Sequence, residues 1–159
     1  MDLILWRHAE AEPATAELTD EFRKLTGKGN KQASKIAYWL DSTLPETCRI
    51  LASPTIRTRD TAEALIACGR KYKIMPELGP AATVSDVLTA ANWPNSREPV
   101  LIIGHQPYLG QVAAELLGHP LQEYGVRKGN VWWITQKQRE NEVVQTYLKA
   151  IMSPDLVVK

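Results

Sequence analysis

The 159 residues hold one phenylalanine, three histidines and two cysteines, and each scarcity closes a class of explanation. Cys48 and Cys68 sit in apolar stretches with no CxxC spacing, which excludes a disulfide-stapled scaffold and a thiolate metal centre. Both read as buried small hydrophobes in a reducing compartment. His8, His105 and His119 show no ligand spacing, so a histidine metal site is a poor alternative. Charge of neither sign dominates: 19 Lys+Arg against 18 Asp+Glu leave a net +1. That balance excludes a global field for nucleic acid or membrane and leaves room for a local basic cluster. No apolar run approaches a membrane span, and Leu3–Trp6 is too short for the core of a signal peptide, so a cytoplasmic location is expected. Repeats, low-complexity tracts and linkers are also missing. The length suits one domain over residues 1–159.

What is present is a 44% hydrophobic chain whose apolar residues fall in two periods. Leu3–Trp6 and Val100–Ile103 are continuous apolar runs, the pattern of strands buried on both faces. Ile50–Ala52 and Ile74–Met75 predict shorter strands. After Thr26, a good N-cap, Gly29, Ala33, Ile36, Ala37 and Leu40 share one helical face up to Leu44-Pro45. Ser53-Pro54 predicts an N-cap and first helical position, with Ala62, Leu65 and Ile66 turned inward before Gly69. Further helices are predicted over Val84–Ala91 and Tyr108–Leu117. Val131–Ile134 and Val143–Leu148 predict a terminal strand pair, with one of Trp132 and Trp133 packed inward and the other at the surface. Alternating strands and helices imply an α/β three-layer sandwich: a mostly parallel sheet, helices on both faces and a C-terminal antiparallel pair.

In such sheets ligands bind beyond the carboxyl ends of the strands, and three predicted strand ends deliver polar groups there. The first gives Arg7 and His8, the second Ser53 and, a turn into its helix, Arg57, and the fourth Gly104 and His105. Each alone is a strand or helix end meeting solvent. Together, two guanidiniums and two imidazoles beside a helix N-terminus describe a site for a doubly charged oxyanion. Phosphate fits best, because the planar fork of arginine matches phosphoryl oxygens and imidazole is a competent nucleophile at neutral pH.

The same residues carry a resemblance. R-H-A-E at 7–10, L-T-x-K-G-x-x-Q-A at 25–33, S-P-x-x-R-T-x-x-T at 53–61 and G-H-Q-P at 104–107 resemble the histidine phosphatase superfamily, which includes phosphoglycerate mutases and acid phosphatases. The usual R-H-G is R-H-A here. The resemblance implies His8 as the phosphorylated nucleophile, with Arg7, Arg57 and His105 binding the phosphoryl group, and it brings no metal and no cofactor. Short loops and S-P-x-x-R-T are most similar to the SixA-type phosphohistidine phosphatases. In the mutases and many small-molecule phosphatases, a Glu follows closely after a Leu beyond the third strand and protonates the leaving group. Here the stretch reads Pro76-Glu77-Leu78-Gly79-Pro80, and Pro80 stands where that acid would be.

An alkoxide leaving group needs a general acid and an imidazole leaving from phosphohistidine needs much less help. The expected substrate is therefore phosphohistidine on a partner protein, such as a phosphotransfer domain, with a small phosphate ester as the rival. A mutase and a non-catalytic phosphate-binding module stand further off. Glu10, Glu12, Glu77 and Asp86 remain candidate acids, although Glu10 and Glu12 read as solvated loop carboxylates. Arg23 could reach the rim and bind substrate, or simply pair with Asp20-Glu21. His119 reads as a turn residue.

Overall fold

A computed structural model describes residues 1–159. The centre of its sheet is β1 (Asp2–Arg7), whose Leu3–Trp6 are fully buried. Leu3 and Leu5 enter one core and Ile4 and Trp6 the other. A strand with two dry faces has no place for a polar residue, and each such side chain contributes about 1.5–3 kcal/mol on burial. The run is continuous for that reason, and the strand is a rigid post.

Parallel to it lie β2 (Arg49–Ala52), β3 (Lys73–Ile74) and β4 (Val100–Gly104). Antiparallel β5 (Val131–Lys137) pairs with β1, and β6 (Gln145–Met152) with β5. The six-stranded order is β3-β2-β4-β1-β5-β6. Helices α1 (Gly27–Thr43) and α2 (Ile56–Ile66) cover the Ile4 and Trp6 face, while α3 (Val84–Ala90) and α4 (Tyr108–Leu116) cover the other. The expected three-layer sandwich is what the chain forms. Trp133 is buried, edge-on to Trp39, and Trp132 is half-buried against Tyr124 on the opposite face. No helix is long and apolar enough to cross a membrane.

Four local expectations fail. Ser53-Pro54 do not open α2, which begins at Ile56 behind Thr55; the Ser53 hydroxyl is engaged by His105 instead. Ile66 is exposed rather than inward, because about 100° of helix beyond Leu65 carries it off the face through which Thr58, Thr61, Ala62 and Leu65 pack. Cys48 is buried, but Cys68 is exposed in the turn after α2, its thiol donating back to the Ala64 carbonyl. Val143 and Val144 lie before the last strand and stay exposed.

Thr26 caps α1 as expected, its hydroxyl accepting from the Gly29 N–H at 2.9 Å, and Gly29, Ala33, Ile36, Ala37 and Leu40 are its buried face. This end of α1 is built around the segment that follows β1. The Thr26 N–H donates to the Glu10 carbonyl at 3.0 Å and its hydroxyl to the Glu10 carboxylate at 2.8 Å. Gln32 Oε1 accepts from the Glu10 N–H at 3.0 Å. Glu10 backbone lies directly against Gly29, in the space a β-carbon would fill.

Gly29→Ala therefore sets about 1 kcal/mol of helix propensity against a collision with main chain. We expect a net loss of about 2 kcal/mol in urea unfolding. Gly27→Ala, with nothing within 4 Å of its β-carbon position, should be neutral or stabilising in the same measurement.

Candidate active site

The parallel register sets the site. Arg7 pairs with Gly104 across β1 and β4, so the next residues, His8 and His105, leave adjacent strands side by side. Their rings lie 5.4 Å apart. On the other flank Ala52 pairs with Ile103, and Ser53 leaves β2 beside them. The helix after β1 packs on one face of the sheet and the helix after β4 on the other. The crevice is thus the topological switch point of the fold.

Main-chain bonds fix Arg7 to Glu10. The His8 N–H donates to the Gly104 carbonyl at 3.1 Å, and the Gly129 N–H donates to the carbonyls of Arg7 and His8 at 3.1 and 3.0 Å. The Ala9 N–H donates to Thr61 Oγ1 at 3.1 Å. Ala9 itself is fully buried, so alanine is accommodated here without displacing its neighbours.

His8 is 4% exposed, with Nδ1 2.8 Å from the Ala9 carbonyl oxygen. A carbonyl only accepts, so Nδ1 carries the proton and Nε2 keeps its lone pair. Burial pushes the His8 pKa down to about 3; the Ala9 bond opposes that, and Arg57, Arg7 and Arg23 reinforce it. His105, 2% exposed, is likewise held to about 3 by burial, then by Arg57 and His8. Its Nε2 lies 2.7 Å from the Ser53 hydroxyl. When Ser53 donates, Nδ1 of His105 is the protonated nitrogen. Tyr108, whose ring meets His105 edge-on, sends its hydroxyl over Gly104 to the Leu78 carbonyl at 2.7 Å.

The two guanidiniums are tied at their ends. Arg7 Nη1 donates to the Val126 carbonyl at 3.0 Å. Arg57, 4% exposed, donates from Nη1 to the Asp20 carbonyl at 2.8 Å and from Nη2 to the Asp20 carboxylate at 3.1 Å. Arg23 pairs with the other Asp20 oxygen at 3.0 Å and reaches the Glu12 carbonyl at 3.1 Å. Desolvation raises the Asp20 pKa, but Arg57 and Arg23 outweigh it and hold the carboxyl below its ordinary range. Asp20 is an anion at neutral pH, not a proton donor.

Arg7 Nε, Arg57 Nε and His105 Nδ1 are buried without a partner. A buried unpaired donor costs about 1–3 kcal/mol; Arg7, Arg57 and, when Ser53 donates, His105 each keep an unspent donor.

The structure brings Arg7, His8, Arg57 and His105 together, with Arg23 at the rim through Asp20. His119 lies apart, bonded to the Tyr124 hydroxyl at 2.6 Å. Of the candidate acids, Glu10 is bonded to Thr26, Asp86 is in a capping box with Thr83, Glu77 is exposed and Glu12 is half-buried; Pro80, in place of the acid, is exposed. Sequence reasoning missed the link from Asp20 to Arg57, which joins residues 37 apart and has no periodicity to betray it. Ser53 was in view at its strand end and misread as a cap. No cluster of three or more His, Cys, Asp or Glu side chains has the arrangement of a metal site.

The model of the histidine phosphatase superfamily (branch 1) matches residues 3–79. A phosphohistidine phosphatase SixA homologue of Haemophilus influenzae is 30% identical over 148 residues, covering 84% of this chain and 88% of that protein. The chain belongs to the histidine phosphatase superfamily. Phosphohistidine phosphatase SixA of Escherichia coli K12 is 31% identical over 121 residues, 73% of this chain and 74% of that one. A solved structure of the protein histidine phosphatase SixA complexed with tungstate superposes with a TM-score of 0.76 at 26% identity, over 98% of both chains.

The desolvated imidazoles give this superfamily member a distinct proton signature. The unfolded chain, with histidines near 6.5, binds protons before the folded one as pH falls, so stability conferred by the neutral rings is lost from about pH 6.5 downward towards 3. In the native protein the imidazole C2–H shifts of His8 and His105 should stay at neutral-ring values from pH 8 to about pH 5. A midpoint near 6.5 for either would contradict the desolvated site.

Proposed function

We propose that the protein is a phosphohistidine phosphatase in which His8 accepts the phosphoryl group from a partner protein. The observation that carries the reading is the neutral His8, its Nδ1–H held on the Ala9 carbonyl and its Nε2 free, beside arginines and a histidine that each keep a buried nitrogen without a partner. The SixA relatives support the same substrate.

In the first half-reaction the Nε2 lone pair of His8 attacks phosphorus, a new P–N bond forms, and the P–N bond to the substrate imidazole breaks. Arg7, Arg57 and His105 hold the equatorial oxygens, where the charge of the transition state resides. The phosphorylated His8 ring is cationic, and its Nδ1–H remains on the Ala9 carbonyl. Water then attacks phosphorus, the His8 P–N bond breaks, and the water's second proton stays on the released inorganic phosphate. Each departing imidazole takes the P–N electrons and leaves neutral, its other nitrogen already protonated. No acid is needed. The charge on the phosphoryl group is met by arginines and histidine, so no metal is needed either.

His8→Ala should abolish turnover while phosphate or vanadate binding survives, because the arginines remain. Arg57→Lys should lose on the order of 10²–10³ in kcat, since a point charge cannot reproduce the fork. Wild-type turnover in His8→Ala, or vanadate bound away from Arg7 and Arg57, would refute the assignment.

The second reading, a small-molecule phosphomonoesterase, turns on a proton donor. With Asp20 ionised and Glu10 and Asp86 engaged, kcat/KM should fall steeply as leaving-group pKa rises: aryl phosphates and phosphoramidates turned over, alkyl phosphates hardly at all. A series of esters of graded leaving-group pKa measures this. Alkyl phosphates as good as aryl ones, with chemistry rate-limiting, would favour the phosphomonoesterase.

A further inference from the structure

Beside the site runs a second feature, of which the chemistry of His8 uses only Arg7. Arg7 forms one end of an open groove of about 900 Å³, whose walls carry Lys28, Lys31, Lys35, Arg127 and Lys128. The three lysines are i, i+3 and i+7 on α1, a single stripe about 10 Å long. The facing wall is the loop before β5, which packs against the Arg7–His8 backbone through Gly129. None of the six cations is in an ion pair. Two carboxylates share the groove, yet each is turned to a hydroxyl: Glu10 to Thr26 and Asp155 to Ser153. The groove thus holds a net +4 in a chain whose whole net charge is +1, so the rest of the protein is net negative.

We infer that this groove docks the acidic surface surrounding the phosphorylated histidine of the partner protein, a proposal that rests on the phosphohistidine reading above. The argument is one of charge and lining. Asp155 offsets part of the charge of Arg127 and Lys35, but a net +4 remains, and an anionic occupant relieves its repulsion. Apart from Pro154, the residues lining the groove are polar or charged, whereas small-molecule pockets are lined predominantly by hydrophobic and aromatic side chains. No aromatic side chain lines it either, and single-stranded nucleic acid is held by stacking on such side chains. The groove also shares Arg7 with the site, so whatever fills it is continuous with the group bearing the phosphoryl. Carboxylates flanking a phosphohistidine meet all three conditions. Exposed charge pairs of this kind act mainly on encounter rate and partner choice, and salt screens them.

The test uses two synthetic histidine peptides phosphorylated with phosphoramidate, one with four Asp or Glu beside the phosphohistidine, the other with Asn or Gln there. At low ionic strength the acidic peptide should have a kcat/KM about tenfold higher, carried by KM, and added salt should erase the difference. The triple variant Lys28→Glu/Lys31→Glu/Lys35→Glu should lose the preference. So should Arg127→Glu/Lys128→Glu, which leaves α1 untouched, while both variants hydrolyse an aryl phosphate within about twofold of wild type. Equal kcat/KM for the two peptides in the wild type, or a preference surviving in both variants, overturns the docking surface alone. Failure to hydrolyse either peptide, with aryl phosphate still turned over, overturns the phosphohistidine reading and the groove with it. Stronger inhibition by an oligonucleotide than by an unphosphorylated acidic peptide of equal charge would reassign the groove to nucleic acid and overturn the proposal.

Discussion

The parallel ladder between β1 and β4 is the constraint on which the rest depends. Because Arg7 is in register with Gly104, the residues that follow emerge at one level, and a slip of one residue would turn Leu3–Trp6 into the wrong cores. Burial of those four side chains therefore fixes the His8–His105 spacing as firmly as it fixes the sheet. The ladder to β2 extends the same logic to Ser53, whose N–H donates to the Ile103 carbonyl at 3.1 Å. Site geometry and core packing are one energetic unit here.

A second layer of constraint holds the backbone just after the strand. Gly29 gives Glu10 room, Gln32 and Thr26 take up its polar groups, and Thr61 holds the Ala9 N–H. These are the letters of the stretches at 25–33 and 53–61, and none of them needs to touch a substrate to matter. Thr58 acts one step further out, donating to the Ser53 carbonyl at 2.7 Å and so bracing the turn that sends Arg57 inward. A positioning network of this kind lets a four-residue strand end behave as a rigid constellation.

Much of this was legible in the sequence, and the reason is physical. Strands dry on both faces read as continuous apolar runs, a helix with one buried face reads at 3.6-residue spacing, and polar residues placed at strand ends show up against that background. Arg7, His8, Arg57 and His105 were all visible by this contrast. What escaped had no local period. The bond of Asp20 to Arg57 crosses from a loop to a helix, and Ser53 satisfies its hydroxyl across the sheet instead of along the chain. Lys28, Lys31 and Lys35 have a readable helical spacing, but Arg127 and Lys128 join them only because β5 returns antiparallel beside β1. A net charge of +1 conceals such a groove entirely.

Electrostatics unite the two properties that the proposed chemistry asks of the crevice. Burial disfavours a positive charge on His8, and the arginines proposed to hold a phosphoryl dianion disfavour it further. The same surroundings that would attract a phosphoryl group thus keep the lone pair of the proposed nucleophile free. Asp20 moderates this without cancelling it: its carboxylate fixes the ends of Arg57 and Arg23, yet leaves Arg57 Nε unpartnered. In the proposed transfer, the His8 ring becomes cationic at the moment a dianionic group is attached to it. The charge that the arginines opposed is then compensated from within the intermediate, and the Ala9 carbonyl already faces the nitrogen that bears the proton. When the P–N bond breaks again, the departing ring regains neutrality, the state that desolvation favours. A buried imidazole among guanidiniums is therefore predisposed both to accept a phosphoryl group and to give it up, with no proton donor at the leaving side.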